Sequence, residues 1–199
     1  MTRRTAPKRT TFRHGNLPDA LMNAAIRRIE AQGSASIALR DLARDAGVNH
    51  RAIYRHFPDK ESLLADVAER CWREFILRLR KAVAKTPAGE PMLVAAGLAV
   101  FAYGRDHPNL FLFATGAYPN LGVRFPRLEA AIMEAVQIFA VGFAGTGVAP
   151  APVTTRAAVY IAAMQGLTAQ YVHGRLRIVP ERAVAWMTDM CGLLVKGLG

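Results

Sequence analysis

Between positions 41 and 64 the chain reads DLARDAGVNHRAIYRHFPDKESLL. Asn49, His50, Arg51, Tyr54, Arg55 and His56 crowd onto about two helical turns of it. These are side chains that read double-stranded DNA. Arg pairs with guanine edges and Asn with adenine, while Tyr and His reach phosphates or thymine methyls. Arg40 and Lys60 flank the stretch where phosphate clamps would stand, Lys60 beside a helix N-terminus that favours anions. Spacing alone leaves a second reading open, in which the same residues are solvated positions on a helical hairpin.

Other chemistry finds little purchase. No nucleophile stands with a paired base, and there is neither a Gly-rich phosphate loop nor a carboxylate pair suited to a polar cleft. The chain is therefore not read as an enzyme, and no catalytic residue or cofactor is assigned. Asp41 and Asp45 lie beside Arg40 and Arg44 and read as solvated face charges. His107 and His173 lack ligand neighbours at metal spacing, so no metal site is assigned; His107, before Pro108, is expected to cap the helix that follows. The two cysteines, Cys71 and Cys191, sit among apolar neighbours and read as small core residues rather than a disulfide framework.

A DNA-reading face needs elements to hold it. Leu17, Leu21, Ala25 and Ile29 repeat at i, i+4 and predict a first helix, capped near Asn16 and ended by Gly33. Leu39, Leu42, Ala43 and Ala46 mark a short second helix. Gly47 supplies the turn, and Val48 faces inward. A third helix runs from Asn49, its N-cap, to His56, with Ile53 and Phe57 toward the core. Two short helices joined by a tight turn and buttressed by another form a helix-turn-helix, whose second helix fits the major groove. Pro58 breaks the third helix. Asp59 caps a long fourth one that buries Leu63, Leu64, Val67, Cys71, Phe75 and Leu79 and fades at Lys85. Residues 86–89 and Pro91 make a loop. Beyond it, helices are expected over about 92–106, 108–114, 126–144, 154–173 and 181–196, with no strand alternation and no repeat.

The expected fold is all-α. A basic disordered arm (1–14) precedes a three-helix DNA-binding domain with the helix-turn-helix (15–60). A larger helical effector-binding and dimerisation domain follows (61–199), the fourth helix, about 60–85, connecting the two. Charge supports this division. Of a formal net charge of +11, residues 1–85 carry 18 Lys and Arg against 9 Asp and Glu, and the remainder 8 against 6. A basic front on a near-neutral apolar back suits a polyanion partner. Arg13 in the arm is placed to reach phosphates or a minor groove. No apolar signal-peptide core follows the basic start, and the longest nearly apolar run, 92–104, is short of a membrane span, so a cytoplasmic protein with no membrane partner is expected.

Residues 12–68 resemble the DNA-binding domain of TetR-family transcriptional regulators. HGNL opens the first helix, LRDLARDAGV forms the second helix and turn, and AIYRHFPDKESLL completes the match. The resemblance implies an all-helical homodimer whose recognition helices enter successive major grooves of a palindromic operator. It also implies a C-terminal domain that binds a small molecule altering their separation. Tyr54 and Lys60 match the family's phosphate-contacting positions, and Asn49, His50 and Arg51 occupy its variable reading positions. Ala38 departs from the Ser or Thr usual at the start of the second helix, losing a cap and a phosphate contact. More loosely, FAY at 101–103 with HPNLF at 107–111 is similar to one group of TetR sensor domains. Ile161 and Gln165 replace that group's Trp and His ahead of Gly166.

Aromatics and Met cluster in the back half at Phe101, Tyr103, Phe111, Phe113, Tyr118, Met133, Phe139 and Met164. They read either as plain core or as the walls of a cavity. For a cavity, the ligand-binding candidates are Phe101, Tyr103, His107, Phe111, Met133, Gln137, Met164 and Gln165, and the unknown effector is apolar or aromatic. The dimer interface is expected on the last two helices. Ala158, Ile161, Ala162 and Ala169 form a small-residue face, and Trp186, Met190 and Leu194 an apolar stripe. Two functions follow. One is a repressor released from its operator by an apolar or aromatic molecule. The alternative is a DNA-binding regulator with no small-molecule effector, controlled by a partner protein or by its own level.

Overall fold

A computed structural model describes residues 17–116, 121–147 and 151–198. The basic arm with Arg13, the Asn16 cap and Tyr118 lie outside the described residues. Ten α-helices follow one another among the described residues, and no strand is present there. They are α1 (Leu17–Gln32), α2 (Leu39–Asp45), α3 (His50–Ile53), α4 (Lys60–Val83), α5 (Glu90–Asp106), α6 (Pro108–Ala114), α7 (Leu121–Arg124), α8 (Pro126–Ala144), α9 (Val153–Val172) and α10 (Pro180–Leu198).

The first three helices close on a small core of Leu21, Ala25, Ile29, Leu42, Ile53 and Phe57, all buried. Gly33 and Gly47 take positive φ at the ends of α1 and α2, where a side chain would be strained. Ala38 precedes α2 with no side-chain cap, as its lack of a hydroxyl requires. Regular helix in α3 is shorter than the pattern suggests: it ends at Ile53, and 54–56 continue as a turn. Pro58 explains this, because it drives the residue before it out of the helical region. Asp59 caps α4 as the sequence predicts and is more than a surface charge: its carboxylate accepts from the Ser62 N–H at 2.7 Å. Asp45 likewise does more than face solvent, since it pairs with Arg28 and ties α2 to α1.

Beyond α4, helix α5 is the axis of the second core. It packs on α4, α6, α8, α9 and α10. Close approach is possible because of two glycines. A Cβ on Gly97 would stand 2.5 Å from Cys191 Sγ and from the Tyr160 hydroxyl, and one on Gly104 would meet the Thr168 methyl at 2.3 Å. The Tyr160 hydroxyl donates to the Leu93 carbonyl at 2.8 Å, satisfying the one polar atom it buries. Short α7 has no counterpart in the sequence reading; four residues give too little periodicity to announce a helix.

The cap of α4 yields a testable consequence. Hydrogen bonds from Ser62, with Arg124 nearby, hold the Asp59 carboxyl below the usual Asp range. Its contribution is therefore present at neutral pH and is lost as pH falls through the depressed value. Asp59→Ala should cost about 1 kcal/mol at pH 7. The difference from wild type, read by urea unfolding, should shrink toward zero in acid.

Candidate DNA interface and effector cavity

The surface of α3 is assembled from its own cap outward. Asn49 Oδ1 accepts from the Arg51 backbone N–H at 2.9 Å, so the carbonyl half of that side chain is committed to the helix and the amide NH2 remains for a partner. One turn on, the rings of His50 and Tyr54 meet edge to face at 5.1 Å. Tyr54 is 49% exposed although aromatic. Asn49, His50, Arg51, Arg55, His56, Arg40 and Lys60 are exposed as well. Behind them Ile53 and Phe57 are buried, so the face is rigid as well as open.

Charge pairing distinguishes this face from most of α4. Along α4 most cations are engaged: Arg70 with Asp19, Arg73 with Glu69, Arg78 with Glu74, and Arg80 with Glu134. Arg40, Arg51, Arg55 and Lys60 have no ion pair among the described residues. Free cations on one convex surface are what a phosphate backbone requires.

The N-terminal half of α4 is also gripped from the far side. Arg124 pairs with Asp59 and Glu61, and Arg127 pairs with Asp66 at 2.9 Å and Glu69 at 3.2 Å. A second junction joins α6 to α1. His107 Nδ1 lies 2.8 Å from Glu30 Oε1, and its Nε2 lies 3.1 Å from Arg78 Nη2. Arg only donates, so Nε2 accepts and Nδ1–H donates to the Glu30 carboxylate. Asn109 Nδ2 adds a bond to the Glu30 carbonyl at 2.8 Å. The expected helix cap by the His107 ring is thus not what forms: α6 has no side-chain cap, and the ring bridges two other helices instead. Sequence reasoning missed both junctions, since Arg124 is 63 and 65 residues from its partners, Arg127 is 61 from Asp66, and His107 is 77 from Glu30 and 29 from Arg78. The nearest local signal was the i, i+3 spacing of Arg124 and Arg127.

A half-open cavity of about 310 Å³ lies among α4, α5, α6, α8 and α9. Tyr103, Phe111 and Gln165 line it as expected, and Trp72 of α4 forms a wall with Cys71 and Phe75, which the sequence pattern places in the core. Five candidates stand elsewhere. Met133 and Gln137 point to solvent, one position along α8 from the lining residues Ile132 and Val136, because a helical step of 100° separates neighbours. Phe101 packs edge to face on Tyr171 behind α5, and Met164 is buried against Cys191. His107 sits one turn beyond, with its ring against that of Tyr103 at 5.5 Å.

The residues expected at a dimer interface divide between two settings. Ala158, Ile161 and Ala162 line the cavity, Ala158 and Ala162 while also exposed. Ala169, Trp186, Met190 and Leu194 are half-buried on α9 and α10. Burial pushes the Cys71 thiol up to about 12, which removes thiolate character at neutral pH. Among the described residues no three His, Cys, Asp or Glu side chains gather as a metal would need, and no helix is long and apolar enough to cross a membrane.

Residues 21–67 match the family model of bacterial regulatory proteins, tetR family. No curated protein matches the sequence. Among solved structures, a protein of unknown function from Rhodococcus sp. RHA1 is 23% identical, with a TM-score of 0.76 over 96% of this chain and 100% of its own. The transcriptional regulator FadR from Bacillus subtilis, in complex with stearoyl-CoA, is 18% identical, with a TM-score of 0.72 over 91% and 99%. A TetR family transcription regulator from Marinobacter aquaeolei VT8 is 16% identical, with a TM-score of 0.67 over 89% and 94%. At these identities the likeness concerns the fold.

Base-reading and phosphate-clamping residues should behave differently. Arg51→Ala should cost about 1–3 kcal/mol on a selected operator and little on random DNA. Lys60→Ala should weaken both alike and reduce the slope of log affinity against log salt by about one. Fluorescence anisotropy across a salt series separates the two; an equal Arg51→Ala loss on both DNAs would count against base reading by that residue.

Proposed function

We propose that the chain, whose residues 21–67 match the tetR-family model, is a transcription regulator that works as a homodimeric repressor released from a palindromic operator by an apolar or aromatic small molecule. The observation that carries this reading is the cavity and where its wall leads. Tyr103 lines it, and that ring also touches two groups that do not line it: Arg78, whose guanidinium lies 5.5 Å from the ring centroid, and His107. His107, bonded to Arg78 through its other ring nitrogen, in turn holds Glu30 near the end of α1. A molecule that moves Tyr103 therefore presses on the contact between the effector half and the DNA-binding helices. The α4 wall at Cys71, Trp72 and Phe75 offers a second route, since the same helix begins at Lys60 beside the recognition surface.

Repression by such a dimer is steric: two recognition helices on successive major grooves block polymerase at a promoter. Ala158, Ala162 and Ala169 on α9, with Trp186, Met190 and Leu194 on α10, are the proposed dimer contacts, small residues admitting close approach and large ones supplying buried area. The protein works in the cytoplasm, where its operator is. Bacillus subtilis FadR, of the same fold, is described with stearoyl-CoA, which supports a small-molecule effector here. A regulator controlled by a partner alone would have no need of a half-open apolar cavity between its helices.

Release by effector is a coupling of roughly 5–150-fold in operator affinity, the range usual for linked sites. His107→Ala should leave effector binding intact and shrink that factor by at least about threefold, measured as operator affinity with and without a saturating effector. An unchanged factor would remove the α6–α1 junction from the mechanism, and an operator affinity insensitive to every apolar compound that fills the cavity would overturn the repressor-release reading.

A further inference from the structure

The wall of the cavity carries information about the charge and polarity of its ligand. Trp72, Phe75, Phe111 and Phe139 supply aromatic surface. The lining side chains that carry a polar atom are Cys71, Trp72, Tyr103, Thr115 and Gln165, none of them a cation or a carboxylate, and the Trp72 indole N–H already donates to the Ala114 carbonyl. Burial raises both the Cys71 thiol and the Tyr103 phenol above their ordinary values, so both stay neutral. The nearby guanidinium of Arg78, 5.5 Å from the Tyr103 ring centroid, is not among the lining groups and is bound to Glu74 at 2.7 Å and His107 at 3.1 Å. A carboxylate or phosphate inside would lose its hydration with no counter-charge to replace it.

One polar group there is both desolvated and unpaired. Thr115 donates to the Phe111 carbonyl, and Gln165 is half-buried and reaches water. Tyr103 is 4% exposed, and its hydroxyl has no hydrogen-bond partner; the polar neighbour that registers on it is the Cys71 thiol, itself a weak partner. An orphaned buried hydroxyl gains more from an incoming acceptor than a solvated one does. Resting on the reading that this cavity holds the effector, we infer that the effector is an uncharged, ring-bearing molecule whose one buried polar group pairs with the Tyr103 hydroxyl. An acyl thioester or a free carboxylate would have to leave its anionic end outside.

Three small probes test this on the full-length protein by titration calorimetry: naphthalene, 2-naphthol and 2-naphthoate, each against wild type and Tyr103→Phe. The variant keeps the ring and removes only the hydroxyl, and its thermal midpoint should match or exceed that of wild type because an orphaned polar atom is gone. In wild type, 2-naphthol should bind about tenfold or more tightly than naphthalene, and 2-naphthoate at least about tenfold more weakly than 2-naphthol. In Tyr103→Phe the advantage of 2-naphthol over naphthalene should collapse while naphthalene binds as before. An unchanged naphthol-to-naphthalene ratio, or a naphthoate that binds as tightly as naphthol, overturns this inference and leaves the cavity reading standing. No binding by any probe to wild type overturns both.

Discussion

One unbroken helix constrains everything else in the molecule. Helix α4 runs from Lys60 to Val83, starting at the edge of the DNA-facing surface and passing the cavity. Its ends are fixed by different means. The start is capped by Asp59 and clamped by Arg124 and Arg127; further along, Arg78 enters the His107–Glu30 junction. A helix cannot bend at one point without lengthening or breaking hydrogen bonds there, so a displacement of Trp72 or Phe75 is carried along its axis. In the proposed account, that rigidity lets a binding event in the back half reach the first three helices.

Helix α5 plays the complementary part. Gly97 and Gly104 allow α9 and α10 to press against it, which fixes the direction in which Tyr103 faces. Tyr103 has α4 on one flank, through Phe75 at 5.5 Å, and the His107 ring on another. The same residue is thus a wall of the cavity and a support of the junction with α1. In the proposed account no long pathway is needed, because the two structures that must communicate share a side chain.

Much of this was legible in the sequence, for a physical reason. The helix-turn-helix is local: its cap at Asn49, turn at Gly47 and inward Ile53 and Phe57 all act within a few residues, so pattern and spacing suffice. The back half is not local. Met133 and Gln137 share a helix with lining residues but miss the cavity by one step, a distinction that depends on the helix's rotation against its neighbours. Cys71 and Phe75 were legible as buried but not as bordering empty space, since burial and cavity lining look alike in hydropathy. His107 was placed at the right helix start and given the wrong partner, because Glu30 is 77 residues away.

The central claim is that a paired helix-turn-helix reads specific DNA. The most direct measurement is footprinting of genomic fragments selected by the purified full-length protein. The account predicts a protected palindrome with half-sites about one helical turn apart. Uniform, salt-sensitive protection with no enriched sequence would contradict it, leaving only electrostatic attraction between basic residues and DNA.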